Sequence, residues 1–283
     1  MITGAVEVDV RKRRTFDVIC AGEPLWQTSQ RPGAPSAHAA LLDVSKMLAK
    51  RGIAVGLATV LGDDKLGRSS RQELAAIGID VGAVKLASVA SDFAIVDAAG
   101  GQSLLGSESR DDAALEVPKA WGSQVLLLSG LSATTSRLAA FCKAARRARR
   151  DGTLVVLDLA GSLRHWMDRE PKVLSMLLRE ADVVRSSFID LAMIGLSAAD
   201  VRRSMRSDAT LVINDVDGTV ATGTFGEVKA KSFEPPIDPR RYAECCTAAI
   251  CAELAKPRAG GETPSGRWHR ILAHEASMLA ASS

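Results

Sequence analysis

The sequence predicts an α/β fold with a mostly parallel central sheet. Short apolar runs of strand length alternate along the chain with longer segments that fit helices, an order typical of right-handed βαβ units. Of the 283 residues, 47% are apolar and 24% are charged, a balance that allows a large buried core. The segment Pro235–Leu254 is apolar almost all round and is predicted to be a helix buried in that core.

The predicted elements follow one another in a regular order. Strands are expected at Phe16–Ala21, Ile53–Val60, Val125–Leu128, Leu154–Leu157, Asp182–Arg185 and Leu211–Asn214, with short hairpin strands around Gly218 and Gly226. Helices are expected from Ser36 to about Arg51 and at Arg68–Ile77, Thr134–Arg150, Val173–Glu180 and Ser265–Ala281. The region Phe93–Leu105 has glycines at its centre and is predicted to be a β-hairpin that stands off as a small lid.

One domain accounts for nearly the whole chain. Residues 1–14 carry an RKRR cluster without hydrophobic periodicity and are predicted to be a flexible tail. Residues 15–283 are predicted to form a single domain, with lid elements around residues 22–35 and 92–106.

Charge and cysteine usage argue against several classes of protein. A net charge of +3 is too small to indicate nucleic-acid or membrane binding, and no apolar run has the length of a membrane-spanning helix. The five cysteines form no CxxC pair, and Cys245, Cys246 and Cys251 lie on the predicted buried helix, so reduced thiols are expected. The four histidines share no ligand spacing, so no metal centre is predicted. The N-terminus lacks the apolar stretch of a secretory signal, and a soluble cytoplasmic protein is expected.

The start of the predicted buried helix is a candidate ligand site. Asp238 followed by Pro239 is a helix-start signal, because the carboxylate can cap the helix and proline lacks an N–H that would be left unbonded. The free backbone N–H groups of a helix start attract anions. The residues at this start therefore decide whether chemistry takes place there.

Several segments, in order, resemble one family of enzymes. They are FDVICAGEPLW, PGAPSAHAALLDVSKMLAKRG, ATVLGDDKLGRSSRQELAAIGIDV (Ala58–Val81), LLLSGL, VVLDLAGSLRHW and EADVVRSSFIDL. With them the chain resembles a degenerate member of the ribokinase-like (PfkB) carbohydrate kinase family over nearly its whole length. The resemblance implies a ribokinase-like three-layer α/β/α sandwich with a mostly parallel central sheet and a small β-lid.

The resemblance also implies ligands and an assembly. In this family ATP and a sugar meet at the carboxyl edge of the parallel sheet, Mg²⁺ is bound with the phosphates, and the lid covers the sugar and often pairs two subunits. The chain is therefore expected to bind a small molecule and to form a homodimer through the lid, with ATP and Mg²⁺ as the cofactors that the family implies.

The family's GAGD signature falls on Arg241, Tyr242, Ala243 and Glu244. Neither glycine is present, and the side chains of Arg241 and Tyr242 are expected to fill the space where a phosphate would lie. Glu244 is the candidate catalytic base, one methylene longer than the family's aspartate, and Arg241 is the candidate phosphate clamp.

On the sugar side, the matching positions are Gln27, Gly33 and Ala37. Gln27 is nearest to the family's sugar-binding aspartate, Gly33 is the second glycine of its GGxxxN loop, and Ala37 replaces the asparagine of that loop. Polar groups that bind hydroxyls give strong discrimination, so an ordinary furanose is not expected to be held in the ordinary way.

On the nucleotide side, the candidate residues are Ser187, Asp190, Asp215 and Gly218. The family's NxxE runs from Ser187 to Asp190, and its TxGxxG loop reads INDVDG, keeping only the last glycine. Asp158 matches an aspartate that the family retains. The carboxylates of Asp190 and Asp215 are either ligands for a hydrated cation or solvated turn residues.

The resemblance and the departures support two interpretations. In the first, the chain is a PfkB-type homologue with degenerate sugar, ATP and catalytic motifs, weak or inactive as a kinase, which acts by binding a small molecule or a partner. In the alternative, it is an active ATP-dependent kinase that phosphorylates a sugar-like or nucleoside alcohol through a rebuilt site, with Glu244 as the base and Arg241 as the clamp.

Overall fold

The structure, a computed structural model, describes residues 14–29, 39–88, 90–91, 93–96, 102–105, 115–130, 135–159, 171–193, 195–215, 217–231 and 239–280. The strands are β1 (Arg14–Gly22), β2 (Trp26–Ser29), β3 (Val55–Gly62), β4 (Asp80–Ala87), β5 (Phe93–Val96), β6 (Gln102–Leu105), β7 (Trp121–Ser129), β8 (Leu154–Asp158), β9 (Val183–Ser187), β10 (Thr210–Asp215), β11 (Gly218–Gly223) and β12 (Gly226–Lys231). The helices are α1 (Ala40–Ala49), α2 (Lys65–Ala76), α3 (Thr135–Arg150), α4 (Pro171–Glu180), α5 (Phe188–Met193), α6 (Ala198–Ser204), α7 (Pro239–Ala255) and α8 (Pro264–Ala280).

The central sheet has nine strands in the order β12-β11-β10-β9-β8-β7-β1-β3-β4. Every neighbouring pair from β10 to β4 is parallel, and β11 and β12 extend the sheet as an antiparallel hairpin. β3 is buried along its whole length and β8 along most of it, as expected for parallel strands covered on both faces. The prediction of a mostly parallel sheet is confirmed.

Helices cover both faces of this sheet and make it the middle of three layers. Successive residues of β1 point to opposite faces, so that Val18 and Cys20 join one apolar core while Ile19 and Ala21 join the other. The first core is completed by α1, α2, α7 and α8, and the second by α3, α4, α5 and α6. None of the described helices is long and apolar enough to cross a membrane.

The predicted buried helix is α7. Its three cysteines, Cys245, Cys246 and Cys251, are all 0% exposed, which confirms the expectation of buried thiols on this helix. Burial raises the pKa of the neighbouring core thiol Cys20 to about 12 and also raises the pKa of Cys246 and of Cys251. These thiols are therefore protonated and unreactive at neutral pH.

A separate three-stranded sheet has the order β2-β5-β6. β5 and β6 are antiparallel with Phe93 opposite Leu105, which confirms the predicted hairpin; its turn, residues 97–101, lies outside the described residues. β2 pairs in parallel with β5, although the sequence indicated only a lid element around residues 22–35 and no strand. Trp26 of β2 is buried in the core that contains α1, so this end of the small sheet is anchored to the domain.

Two parts of the central sheet lie outside the predicted strands. β1 begins at Arg14, which was assigned to the tail; its N–H bonds to the carbonyl of Ala120, and its Nη1 lies 2.6 Å from Oδ2 of Asp80. β4 was not predicted, because it is an edge strand whose residues are mostly half-buried or exposed and so form no apolar run.

The helix predictions differ mainly at boundaries. α2 begins at Lys65 rather than at Arg68, because the Asp64 carboxylate caps it by accepting a hydrogen bond from the N–H of Gly67 at 2.8 Å. The short helices α5 and α6 were not predicted, since neither is long enough to show a hydrophobic period.

Candidate functional site

Parallel strands of the central sheet end together at one edge, which we call the carboxyl edge. The last residues of β1, β3, β7, β8 and β9 are Gly22, Gly62, Ser129, Asp158 and Ser187. The backbones of β1 and β7 pack closely here: a Cβ on Gly22 would lie only 1.7 Å from the carbonyl oxygen of Ser129. Open α/β sheets bind their ligands outside this edge, which makes it the candidate site.

The first turns of α7 reach the carboxyl edge. Thr247 donates a hydrogen bond from Oγ1 to Oδ2 of Asp158, the last residue of β8, at 2.9 Å. Of the residues that match GAGD, Arg241 is exposed, whereas Tyr242 and Glu244 are buried. Nη1 of Arg241 lies 4.0 Å from Oε2 of Glu244, so the structure brings the two candidate catalytic residues together in an ion pair one turn apart.

The side chain of Tyr242 points into the protein. Its hydroxyl lies 2.8 Å from Oγ1 of Thr219 on β11. Thr219 donates to Oε1 of Glu275 on α8 at 2.8 Å and accepts from Nδ2 of Asn214 on β10 at 2.6 Å. The Tyr242 and Thr219 hydroxyls are hydrogen-bonded to each other, and either one can be the donor. Tyr242 therefore ties the start of α7 to β11 inside the protein.

A buried cation continues this set of contacts across the sheet. Arg185 on β9 is 1% exposed and donates from Nε to Oδ1 of Asn214 at 2.6 Å and from Nη1 to Oδ1 of Asp158 at 3.3 Å. Burial acts to lower the pKa of Arg185, but the charges and hydrogen bond of its buried neighbours, Asp158 first among them, together outweigh burial and raise the pKa, so the guanidinium stays charged. These contacts surround the amino end of α7, and we call the residues that make them the amino-end network: Asp158, Arg185, Asn214, Thr219, Tyr242, Thr247 and Glu275.

Glu275 is the second acid of this network and differs from Asp158 in its surroundings. Burial raises its pKa, and hydrogen bonds such as the one from Thr219 offset this only in part. Burial likewise raises the pKa of the Tyr242 hydroxyl. The environment of Glu275 therefore favours the neutral carboxyl, while the carboxylate of Asp158 balances Arg185.

The four nucleotide-side candidates come together at the ends of β9 and β10. Ser187 at the end of β9 accepts from the N–H of Asp190 at 3.0 Å and donates to its Oδ2 at 2.7 Å, which caps α5. Asp215 ends β10 opposite Gly218, whose φ of 133° lies in the region that favours glycine. The two strands are in register here, since Asn214 pairs with Ser187.

The sugar-side candidates are only partly described. Gln27 is half-buried on β2, where it pairs with Ala94 of β5, so it lies on the small sheet. Gly33 and Ala37 lie outside the described residues.

The residues at the carboxyl edge do not fit the ATP and Mg²⁺ site that the resemblance implies. Asp190 is buried and its carboxylate is bonded to Ser187, so it serves the start of α5. Within the described part of the chain, no group of three or more His, Cys, Asp or Glu side chains is placed to hold a metal ion. At the start of α7 the two glycine positions of GAGD carry the side chains of Arg241 and Ala243, which keep backbone donors away from a phosphate.

Sequence reasoning missed most of the amino-end network. Asp158 and Tyr242 were singled out, but Arg185, Asn214 and Glu275 were not. A signal was present, because Arg185 and Asn214 interrupt apolar runs that form strands covered on both faces. A charged or amide side chain at such a position needs a buried partner, and this requirement predicts a polar network.

No protein-family model matches the sequence, and no curated protein matches it either. Solved structures do match. Aminoimidazole riboside kinase from Salmonella enterica, complexed with aminoimidazole riboside and an ATP analogue, is 19% identical, with a TM-score of 0.73 over 95% of this chain and 93% of that one. Fructokinase from Vibrio cholerae O395, with bound fructose, ADP and calcium ion, is 15% identical, with a TM-score of 0.76 over 95% and 92%. A putative ribokinase II from E. coli, in complex with ATP and Mg²⁺, is 16% identical, with a TM-score of 0.71 over 93% and 91%.

These likenesses extend over nearly the full length of both chains in each pair. Identities below 20% accompany closely similar architectures, so it is the arrangement of strands and helices that is shared. This chain has the ribokinase-like fold.

Proposed function

We propose that this chain is a homologue of the PfkB carbohydrate kinases that has lost efficient phosphoryl transfer and acts by binding a small molecule or a partner. One observation carries the proposal. The start of α7 is hydrogen-bonded inside the protein, through the hydroxyl of Tyr242 and Oγ1 of Thr219. Phosphoryl transfer depends on donors and charges that are aimed at the moving group. Removing one such donor from an enzyme typically costs about 10²–10³ in rate.

The base position supports the same proposal. Glu244 is buried, its side chain is longer than the aspartate of the family, and it is paired with Arg241 at 4.0 Å. A misplacement of about 1 Å at a reacting centre can cost about a hundredfold in rate. Together with the bonded carboxylate of Asp190, this leaves several separate parts of the phosphoryl-transfer machinery altered.

The carboxyl edge remains the place where a small ligand would bind. Two of the similar structures hold fructose or aminoimidazole riboside, so polyhydroxylated compounds are the first class to test. Ligands that bind the folded protein raise its unfolding temperature by mass action, whether or not they are turned over.

The ion pair between Arg241 and Glu244 favours a second candidate function. Arg241 is exposed at the start of α7, and a guanidinium can bind phosphate where backbone donors are missing. In this alternative the chain is an active ATP-dependent kinase for a sugar-like or nucleoside alcohol, with Glu244 as the base.

An activity assay separates the two candidates. We expect no ADP release above background when the protein is supplied with ATP, Mg²⁺ and a panel of sugars and nucleosides, and we expect thermal shifts with any ligand that binds. Turnover in the common enzyme range of about 1–1000 per second, abolished in Glu244→Gln without loss of folding, would establish the rebuilt kinase instead. The matched control is Glu227→Gln, an exposed carboxylate on β12.

We also propose that the small sheet pairs two subunits. β2 and β6 are the edges of this three-stranded sheet, and an open strand edge tends to pair with another chain. Light scattering should then give twice the chain mass of 29.9 kDa. A monomer at high protein concentration would rule out the dimer.

A further inference from the structure

A surface groove lies between α3 and α4. Its described lining includes Lys143 and Arg146 from α3 and Met176 and Glu180 from α4. α3 runs back from the end of β7 to the beginning of β8, so its last residues lie beside the amino ends of the strands. The groove runs along α3 from Ala139, near its start, to Arg150 at its end, and none of its described lining residues is a candidate site residue.

The rim of the groove is basic. Four cations line it, Lys143, Arg146, Arg149 and Arg150, against the single carboxylate of Glu180. The described lining residues therefore carry a formal charge of +3, so positive charge is concentrated along this groove.

The helix dipole explains only part of this charge. Cations are favoured within the last turn of a helix, which accounts for Arg149 and Arg150. Lys143 and Arg146 lie further back, and α3 contains no acidic residue to balance them. Arg147 turns away from the groove and donates to the carbonyl oxygen of Val117 at 2.9 Å.

Glu180 holds two of the cations in place. Its Oε1 lies 2.7 Å from Nε of Arg146, and its Oε2 lies 3.4 Å from Nη1 of Arg149. Each guanidinium keeps further N–H donors, because a guanidinium has five and these contacts use few of them. The two arginines are thereby oriented side by side along the groove.

The floor of the groove is apolar. Met176 is 47% exposed, one of the few large apolar side chains that the described surface presents, and Ala139 and Cys142 lie beside it. A flexible thioether on a surface adapts to the apolar side chains of a partner. An apolar floor between basic walls is complementary to a segment that carries both carboxylates and large apolar side chains.

We propose that the groove between α3 and α4 binds an acidic, amphipathic segment of a partner protein. Carboxylates of the segment pair with the cations of the rim, and an apolar side chain covers Met176. A nucleic acid fits less well, because the carboxylate of Glu180 lies inside the groove and none of the described lining residues is an aromatic that could stack on a base. The proposal does not depend on phosphoryl transfer, since none of the described lining residues belongs to the candidate site.

The test is a fluorescence anisotropy titration with a synthetic amphipathic peptide of glutamate and leucine, and with a matched peptide of glutamine and leucine. The variant Lys143→Glu/Arg150→Glu reverses two exposed charges of the rim. The control Lys65→Glu/Arg258→Glu makes the same change of net charge at exposed positions elsewhere. Met176→Ser tests the floor. Ligand thermal shifts at the carboxyl edge should be unchanged in the rim variant and in Met176→Ser.

We expect the rim variant to weaken binding of the glutamate peptide by about tenfold or more, and the control by less than about twofold. Met176→Ser should weaken it by about threefold, and the glutamine peptide should bind more weakly than the glutamate peptide. Absence of binding, or equal weakening by the rim and control variants, overturns the proposal. Tighter binding of single-stranded RNA or of phosphatidylserine vesicles, lost in the rim variant, also overturns it and assigns the groove to that partner.

Discussion

The two ends of α7 are both held by side chains, but in different surroundings. At the amino end, the amino-end network is closed to solvent, and its cation, Arg185, is 1% exposed. At the carboxyl end, Arg267 of α8 donates from Nη2 to the last carbonyl oxygens of α7, those of Glu253, Leu254 and Lys256, at 3.0–3.3 Å. These carbonyls would otherwise lack partners, as they do at any helix end.

The carboxyl end of α7 also carries a cluster of ion pairs around Glu253. Its carboxylate lies 2.5 Å from Nζ of Lys256 and 2.6 Å from Nδ1 of His274, and it is bonded to Arg270 as well. Lys256 is exposed and the other partners are partly exposed, so water can take over when a partner is removed.

The two ends of α7 are expected to contribute differently to the stability of the fold. Water cannot replace a missing partner in the amino-end network, because its groups are all buried. At the carboxyl end Glu253 and Arg267 are buried too, at 3% and 7%, but Lys256, Arg270 and His274 around them are exposed or partly exposed, so water can reach this end. In the ribokinase-like family the amino end of this helix is where the backbone must be open to a phosphate. Here the same turns are occupied by side-chain contacts that hold α7 to β8 and β11.

The largest expected effect is at the amino end. Arg185→Met should lower the free energy of unfolding by about 3–5 kcal/mol, because it leaves the carboxylate of Asp158 buried without its cation. Urea unfolding measures this loss, and the double variant Arg185→Met/Asp158→Asn should recover part of it. The matched control Arg203→Met, which removes an exposed pair with Asp200, should cost less than about 1 kcal/mol. A loss of that small size for Arg185→Met would contradict the importance of the network.

A smaller effect is expected at the carboxyl end. Arg267→Ala removes three hydrogen bonds to carbonyl oxygens, yet it should cost only about 1–2 kcal/mol, because water can reach the chain around Lys256. The same urea series measures it. If Arg267→Ala proves as costly as Arg185→Met, the two ends do not differ in the way described here.

The smallest effects are in the pH dependence, where the two ends should differ in sign. Burial raises the pKa of Glu275, so its contribution is complete below the ordinary value of 4.5 and is lost as the pH rises through the folded-state pKa. Burial also acts to raise the pKa of Glu253, but hydrogen bonds from Lys256 and His274 outweigh it, and the pKa is lowered. The contribution of Glu253 is therefore present above 4.5 and is lost as the pH falls through its folded-state pKa.

Two substitutions test this contrast in sign. Relative to the unsubstituted protein, Glu275→Gln should gain stability as the pH rises, and Glu253→Gln should gain stability as the pH falls. Urea unfolding at a series of pH values gives, for each variant, the slope against pH of its free energy of unfolding relative to the unsubstituted protein. If the two slopes have the same sign, the two carboxyl groups have similar environments.

Ala58–Val81 is one of the segments that carry the family resemblance, and the structure shows how two of its residues pack. In Ala58–Val81, Gly62 must lack a Cβ because one would lie 2.4 Å from the N–H nitrogen of Ser91. Asp64 caps α2 and also accepts from the N–H of Ser91 at 2.7 Å. Gly62 and Asp64 thus contribute to the packing of β3 and α2.

The sequence by itself determined the parallel sheet, the small hairpin and the burial of α7. These follow from local patterns, namely apolar runs, turn residues and caps, whose effects extend over a few neighbours. β4 was not predicted, because an edge strand needs no apolar run. The candidate residues at the ends of β9 and β10 came from the family resemblance, and the structure brings them together because parallel strands end at a common edge.

Only the tertiary structure decided the surroundings of the candidate site. Asn214 and Glu275 are 61 residues apart in the chain, and Asp158 and Thr247 are 89 apart, so no local pattern joins them. A buried polar side chain requires a partner, but the sequence does not say which one, because that depends on how the sheet and α8 come together. The direction of Tyr242, toward Thr219 on β11, was decided by this packing.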